Sequence, residues 1–546
     1  MKILMVASEI DGIVKTGGLA DFAAALPKTL IERGHDVRVI LPKYKNSVFP
    51  ASVKSEPLYF NLNHSTYYGC LVHHANLGKI TIRLVEHHDF FSRDGIYDDG
   101  IHPYQDNAFR YGFFCKAALE QCLQEQWIPD IIHCNDWQTA ILPYYLKEHY
   151  SYHPDFCPEF KNTKTILTIH NGEYQGLTDK KWLEPLGIMP ERFTSELMEE
   201  YGFINLLKCG IMYADAVNAV SPGYSQELLK PESSHQNLWH YLNSRRDNFT
   251  GILNGCDYTL WNPETDPFIP HHFSAQDMAG KALCKSSLQS RMGLPSNMES
   301  SDKLGFSYNV ELSTKKDIPL FGLVSRLVAQ KGFDYLLPAL ERVLYEDAPV
   351  QIAILGSGEH YYGSWIHHLE RRYPEKMSFV NGYDNVLSHL IEAGSDFFMM
   401  PSLFEPCGLN QLYSLAYGTI PIIRETGGLK DTVIPLTIES MIASQAKKKV
   451  GKSSKKANLS NTASKKPAKT TKRPSKTKQT ENQATGISFG YPDSQNCYEA
   501  IKQAVTLYLD YKPLYFEMQQ RAMEQKFTWD ASAKQYEVLY RTIMEN

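Results

Sequence analysis

Short apolar runs recur along the chain, each followed by polar or glycine-bearing residues and then by a helical pattern. Residues 3–7 form the first run, a loop spans Gly12 to Gly18, a helical pattern covers 19–34, and a second run occupies 37–41. Runs at 130–133, 165–169 and 216–220 repeat the arrangement. Apolar runs this short, separated by helical segments, predict buried parallel strands with crossover helices. Residues 51–85 alternate polar and apolar more regularly and predict an antiparallel excursion. After a polar stretch around 296–317 the same grammar restarts, with strands at 320–324, 351–355, 397–400 and 420–423 and helices at 333–344 and 409–417. The chain ends in helical patterns at 498–508 and 531–544. The expectation is an α/β protein of two doubly wound units. The first covers 1–250 and is rejoined by a C-terminal helix at 528–546; the second covers 251–527. Sheets of this kind bind ligands beyond the carboxyl ends of their strands, so a cleft between the two facing units is the expected site.

Length agrees with two units. A chain of 546 residues exceeds the roughly 250–300 residues at which one core stops growing. Charge changes the picture more. The formal net charge of −5 conceals a segment at 441–485 with twelve Lys, Arg473 and a single acid, Glu481. The remainder has 43 basic against 60 acidic residues, a net −17. An acidic body argues against nucleic-acid binding by the folded units. The segment itself is rich in Lys, Ser, Thr and Ala, cannot bury enough apolar surface to fold alone, and is expected to be a disordered insertion. It is either a tolerated surface insertion or a nonspecific contact for polyanions.

Ten cysteines lie scattered with no C-x-x-C, which argues against a zinc ribbon or a redox motif and for reduced, buried thiols. The first apolar run is too short for a signal peptide, and nothing approaches the ~18–20 apolar residues of a membrane helix. A cytoplasmic, unanchored protein is expected. His87–His88 and His271–His272 are adjacent pairs without partners at ligand spacing, so neither a metal nor a cofactor is expected.

Five stretches carry candidate chemistry. In V-K-T-G-G-L-A-D (14–21), Gly17 and Gly18 let backbone amides approach a ligand, the following helix offers its positive end, and Lys15 adds a full charge. The plain alternative is a strand–helix turn with a solvated lysine. In S-R-L-V-A-Q-K-G (325–332), Arg326 and Lys331 flank a loop at a strand's end, an anion clamp or two surface cations. In P-S-L-F-E-P-C-G-L-N-Q-L-Y (401–413), a buried strand delivers Glu405 into a turn. A carboxylate there can hold sugar hydroxyls or stabilise positive charge, or it can cap the next helix. His170 in T-I-H-N-G-E-Y-Q-G (168–176) and Asp136 in H-C-N-D-W-Q (133–138) each follow a strand, where either a ligand contact or a structural role fits.

Together these stretches become recognisable. K-T-G-G-L-A-D, S-R-L-x-x-Q-K-G, F-E-P-C-G-L-N-Q-L-Y and T-G-G-L-x-D-T-V, with H-N-G-E-Y-Q-G and N-G-C-D-Y-T-L-W-N-P between them, closely resemble the bacterial glycogen synthase and plant starch synthase family. The resemblance covers nearly the whole chain except 441–485. It implies a GT-B-type fold of two Rossmann-like domains and a metal-independent, retaining transfer of glucose from ADP-glucose to the non-reducing end of an α-1,4-glucan. It implies that Lys15, Gly17 and Gly18 hold donor phosphate or sugar. Arg326 and Lys331 would neutralise the departing ADP, and Glu405 with the Cys407, Gly408 and Leu409 amides would hold the glucosyl ring. His170 and Asp136 would lie on the sugar and acceptor side, with Thr426 and Gly427 near the phosphates. Same-face attack and a covalent route through Glu405 or Asp136 both remain open, as do another nucleotide sugar and a non-catalytic glucan-binding role. Related transferases carry a second glutamate where this chain has Tyr413, as the synthase family does.

Overall fold

A computed structural model of the chain describes residues 1–48, 54–63, 66–151, 158–231, 235, 237–296, 317–437 and 483–545. It contains two compact units. One comprises Met1–Asp257, Glu405–Leu409 and Phe527–Asn546; the other comprises Tyr258–Phe404 and Asn410–Lys526.

The first unit is built on a nine-stranded sheet in the order β12-β11-β7-β6-β1-β2-β5-β4-β3. Its strands are β1 (Lys2–Val6), β2 (Asp36–Pro42), β3 (Lys54–Asn61), β4 (Tyr67–Leu77), β5 (Ile80–Glu86), β6 (Ile131–Asn135), β7 (Lys164–Ile169), β11 (Ala216–Ala219) and β12 (Phe249–Gly251). Seven strands run parallel; β4 pairs antiparallel with both β3 and β5, the excursion that the alternation predicts. β1 lies between β2 and β6, with Ile3 opposite Val37 and Ile131. A three-stranded antiparallel sheet, β8 (Leu177–Asp179), β10 (Phe203–Asn205) and β9 (Glu199–Glu200), stands apart from the large one.

The helix Gly18–Glu32 covers one face of the large sheet because Phe22, Ala23, Leu26 and Leu30 recur at helical spacing and are all buried. The C-terminal helix Trp529–Glu545 packs beside it, adding Trp529, Ala533, Tyr536 and Tyr540 to the same core. Arg33 fixes this pairing through Glu537 (2.9 Å) and Asp530 (2.7 Å).

The second unit has a six-stranded parallel sheet, β15-β14-β13-β16-β17-β18, formed by β13 (Leu320–Leu327), β14 (Gln351–Gly358), β15 (Met377–Asn381), β16 (Phe397–Met400), β17 (Ile420–Arg424) and β18 (Ile487–Phe489). β13 is longer than the apolar run predicts. It continues through Arg326, paired with Ser357, to Leu327, paired with Gly358. Glycine permits this: a Cβ at Gly358 would stand 2.4 Å from the Leu327 carbonyl oxygen, and Gly358 has φ +154°. Arg326 is therefore the penultimate residue of this strand. The helix expected at 409–417 is Asn410–Ala416.

Of the basic segment, 441–482 lies outside the described residues. Its expected boundary at 485 shifts, because Ala484 and Thr485 are buried and the Thr485 N–H donates to the Ile434 carbonyl (2.8 Å). Among the described residues, no helix is long and apolar enough to cross a membrane, and no group of three or more His, Cys, Asp or Glu could hold a metal ion.

Candidate functional site

In the first unit the site begins at the carboxyl end of β1. Ile10 and Val14 exchange backbone hydrogen bonds of 3.0 Å, and buried Ile10 and Ile13 anchor the turn. The turn leaves Lys15 half exposed between Asp21 (2.5 Å) and Asp11 (3.3 Å). Burial works against the Lys15 ammonium, but those two carboxylates hold it above the usual lysine range. Burial pushes the Asp21 carboxyl up, with Lys15 opposing.

Glu9 is buried beneath this turn and had no place in the motif reading. Its carboxylate accepts from the Thr16 N–H, the Thr16 hydroxyl (2.7 Å), the Gly17 N–H (3.2 Å) and the Tyr97 hydroxyl (2.8 Å). The Gly17 amide, expected to meet a ligand, is thus already bonded to protein. Around Gly17 there is open space among the described residues: apart from its chain neighbours, none of them comes within 4 Å of where a Cβ would stand. The helix N-terminus at Gly18 carries no side-chain cap. A Cβ at Gly18 would lie 4.0 Å from the Leu409 side chain, so the Leu409 turn borders this helix start.

Adjacent strands β6 and β7 bring Asp136 and His170 together. Asp136 has φ +55°, a backbone state that non-glycine residues rarely adopt, immediately after β6. Its Oδ1 accepts from the N–H groups of His170 (2.7 Å) and Asn171 (3.2 Å). Burial pushes the Asp136 carboxyl up to about 7 against the pull of those amides, with the Glu9 charge adding to the rise. Burial, helped by neighbouring His133, takes the His170 imidazole down to about 3. His170 is therefore neutral. The Asn135 amide nitrogen donates to the carbonyls of Val6 (3.0 Å) and His133 (3.3 Å), which turns its oxygen toward His170 Nε2 (2.9 Å). Nε2 is then the donor, and Nδ1 keeps its lone pair for an incoming hydroxyl. The Phe22 ring, from the helix that starts at Gly18, meets His170 edge-on at 4.7 Å, so Lys15, Asp136 and His170 share one framework.

Beside Asp136, a cavity of about 310 Å³ is lined by Tyr104, Asn107, Trp137, Glu173, Tyr174 and Thr178. Aromatic walls with a few amide, hydroxyl and carboxylate groups suit a polyhydroxylated ligand.

In the second unit the sequence candidates converge on one loop. Pro401–Phe404 follows β16 and is strapped from two sides. The Leu403 N–H donates to the Gln330 carbonyl (2.8 Å), and the Gln330 amide donates to the Phe404 carbonyl (3.3 Å). Arg424, at the end of β17, donates to the carbonyls of Ser402 (2.7 Å) and Leu403. Gln330 sits between Arg326 and Lys331, and Arg424 lies two residues before Thr426, so these candidates are linked through that loop. Gln330 and Arg424 were passed over because neither reads as chemistry in isolation. The Asn410 amide adds a bond to the Val324 carbonyl (2.8 Å).

The Glu405–Leu409 turn groups with the first unit. Glu405 and Cys407 are buried, Gly408 has φ +71°, and the Ser221 hydroxyl donates to the Pro406 carbonyl (2.6 Å). Thr426 precedes the helix Gly427–Thr432, where Gly427 has φ +41°. Tyr413 stacks on Trp261 at 3.8 Å, with His389 on the opposite side of that indole, also at 3.8 Å. Tyr413 therefore packs as one outer ring of this stack.

Comparison with known proteins gives the following. Residues 2–244 match the family model described as starch synthase catalytic domain, and residues 308–476 match glycosyl transferases group 1. The chain is 37% identical over 545 residues to the glycogen synthase of Aeromonas salmonicida, covering 99% of this chain and 98% of that protein. It is 35% identical over 549 residues to the glycogen synthase of Vibrio parahaemolyticus, covering 100% and 99%. Among solved structures, the catalytic domain of Starch Synthase IV from Arabidopsis thaliana, bound to ADP and acarbose, matches with a TM-score of 0.81 at 29% identity and covers 100% of this chain and 99% of that one. A sucrose-phosphate synthase from Thermosynechococcus elongatus, at 15% identity and a TM-score of 0.54, shares the fold.

Proposed function

Since the chain belongs to the glycogen synthase family and is a glycosyltransferase of GT-B fold, we propose that it transfers glucose from ADP-glucose to the 4-hydroxyl at the non-reducing end of an α-1,4-glucan, with the anomeric configuration retained. The observation that carries this reading is the pairing of Asp136 and His170 at the ends of β6 and β7, beside the Gly18 helix start and an aromatic, polar-lined cavity. ADP bound to the Arabidopsis relative supports adenine as the donor's base.

As the bond from C1 to the diphosphate oxygen breaks, its electron pair stays on ADP, and negative charge grows there. Arg326 and Lys331, with Lys15, are the cations assigned to that charge, and the Thr426–Gly427 turn is assigned to the phosphates. Glu405 and the Cys407–Leu409 turn are assigned to the glucosyl hydroxyls. The transferred ring gains oxocarbenium character, which the nearby carboxylates favour. The acceptor O4 bonds to C1 on the face that ADP leaves, and its proton passes to the departing phosphate oxygen. Asp136 supports this same-face route over a covalent one through its own carboxyl: with that group raised to about 7 and one oxygen held by two amides, it is a poor nucleophile. His170 Nδ1 is assigned to a sugar hydroxyl, and the Trp137–Tyr174 cavity to the acceptor glucan. The cytoplasm is the proposed place of action, in keeping with the burial of the nine described cysteines.

Incubation of the protein with glycogen and radiolabelled ADP-, UDP- or GDP-glucose tests the reading. Label enters glycogen from ADP-glucose with a kcat/KM at least roughly tenfold above the other donors. No incorporation from any donor overturns the assignment, and a preference for UDP-glucose overturns the nucleotide.

A further inference from the structure

The acceptor cavity has an outward edge. Leu177 and Thr178 line it and also form β8, the first strand of the small antiparallel sheet. On that sheet Leu177 pairs with Asn205, and Asp179 with Phe203, a register that puts Leu177 and Phe203 on one face. Leu177 is 45% exposed, Phe203 49%, and Tyr201, in the turn between β9 and β10, 81%. Single exposed apolar residues need no explanation, but three of them on one small sheet whose first strand lines a cavity do.

The small sheet is tied to the cavity wall. The Asn205 amide, on the strand that carries Phe203, donates to the Gln175 side-chain oxygen (2.7 Å) and to Glu200. Gln175 is buried in the cavity wall and donates to the His235 carbonyl (3.1 Å). Asn237 donates both to Glu200 (2.9 Å) and to the Tyr201 hydroxyl (2.8 Å), holding the tyrosine in place. A tyrosine ring fixed in this way loses little conformational entropy when a ligand covers it.

We propose that Phe203 and Tyr201 form distal subsites for the acceptor glucan, so that a long α-1,4-linked chain leaving the Trp137–Tyr174 cavity lies across the small sheet. The apolar C–H faces of pyranose rings match exposed aromatic faces. This rests on the reading that the cavity takes the acceptor. Its consequence is chain-length preference: acceptors too short to leave the cavity gain nothing from the ridge.

The test is steady-state kinetics of the full-length protein with maltotriose and with maltodecaose, comparing wild type with Phe203→Ala and Tyr201→Ala. The KM for maltodecaose rises by roughly 3- to 10-fold in each variant, while the maltotriose and ADP-glucose parameters stay unchanged. Phe203→Tyr, which keeps the ring, restores the wild-type value. Equal KM changes for both acceptors, or none for either, overturn the ridge while leaving the transferase reading intact. A wild-type protein that elongates neither acceptor overturns the reading beneath it. A change of oligomeric state in the variants with unaltered maltodecaose KM reassigns the ridge to a second copy of the chain and likewise overturns the proposal.

Discussion

Asp136 combines a left-handed backbone, a buried carboxyl pushed up to about 7, and one oxygen bound to two amides. Among the described residues its Oδ2 has no partner, so that oxygen is available to a ligand hydroxyl. A carboxyl whose folded-state pKa lies above its unfolded value lends stability in full below the unfolded pKa and loses it as pH rises through about 7. Asp136→Asn removes that titration. Denaturant midpoints measured from about pH 5 to 8 should therefore shift in favour of the variant as pH rises, relative to wild type. Its kcat falls by roughly 10- to 100-fold. A pH dependence unchanged from wild type contradicts the assignment. The sequence placed Asp136 and His170 at strand ends, but not in contact. Their bond depends on β6 and β7 being neighbours in a parallel sheet, and strand order is not written locally. Glu9 was illegible for a related reason: a carboxylate next to an apolar run gives no sign that a turn seven residues later will fold over it.

Among the elements, the junction between β13 and its helix shows how the second unit holds its cations. Lys331 is followed by Gly332, with φ +77°, which starts the helix Phe333–Tyr345. A Cβ there would stand 1.9 Å from the Pro401 carbonyl oxygen. The turn that follows Lys331 is thus packed backbone to backbone against the loop leading to Glu405. Gly332→Ala carries both a disfavoured φ and a clash with backbone and should cost about 2–4 kcal/mol, read as a fall in denaturant midpoint with an unchanged slope. Wild-type stability in that variant would show that the two loops are not held together here. Most elements were legible because apolar runs and helical periods survive tertiary packing. The exceptions have local causes. β13 outran its apolar residues because Gly356 and Gly358 let β14 pair with Ser325–Leu327, and the small sheet β8–β10–β9 was missed because its strands are only two or three residues long.

At the scale of the whole molecule, periodicity announced two parallel sheets, and the ordered series of motifs pointed to the family. The linkage between distant parts was less visible. The Trp529–Glu545 helix returns to the first unit, where the Tyr540 hydroxyl reaches His133 (2.8 Å), 407 residues away in sequence. A helix pattern states its own amphipathicity and not its destination. The proposed reaction builds α-1,4-linked glucan with retention at the transferred carbon. Carbon-13 NMR of maltodextrin after reaction with ADP-glucose labelled at C1 reads the new bond itself. The predicted result is label in α-1,4-linked internal and terminal residues of longer chains. Label recovered as free glucose, in a β-linkage, or only in unreacted ADP-glucose contradicts it.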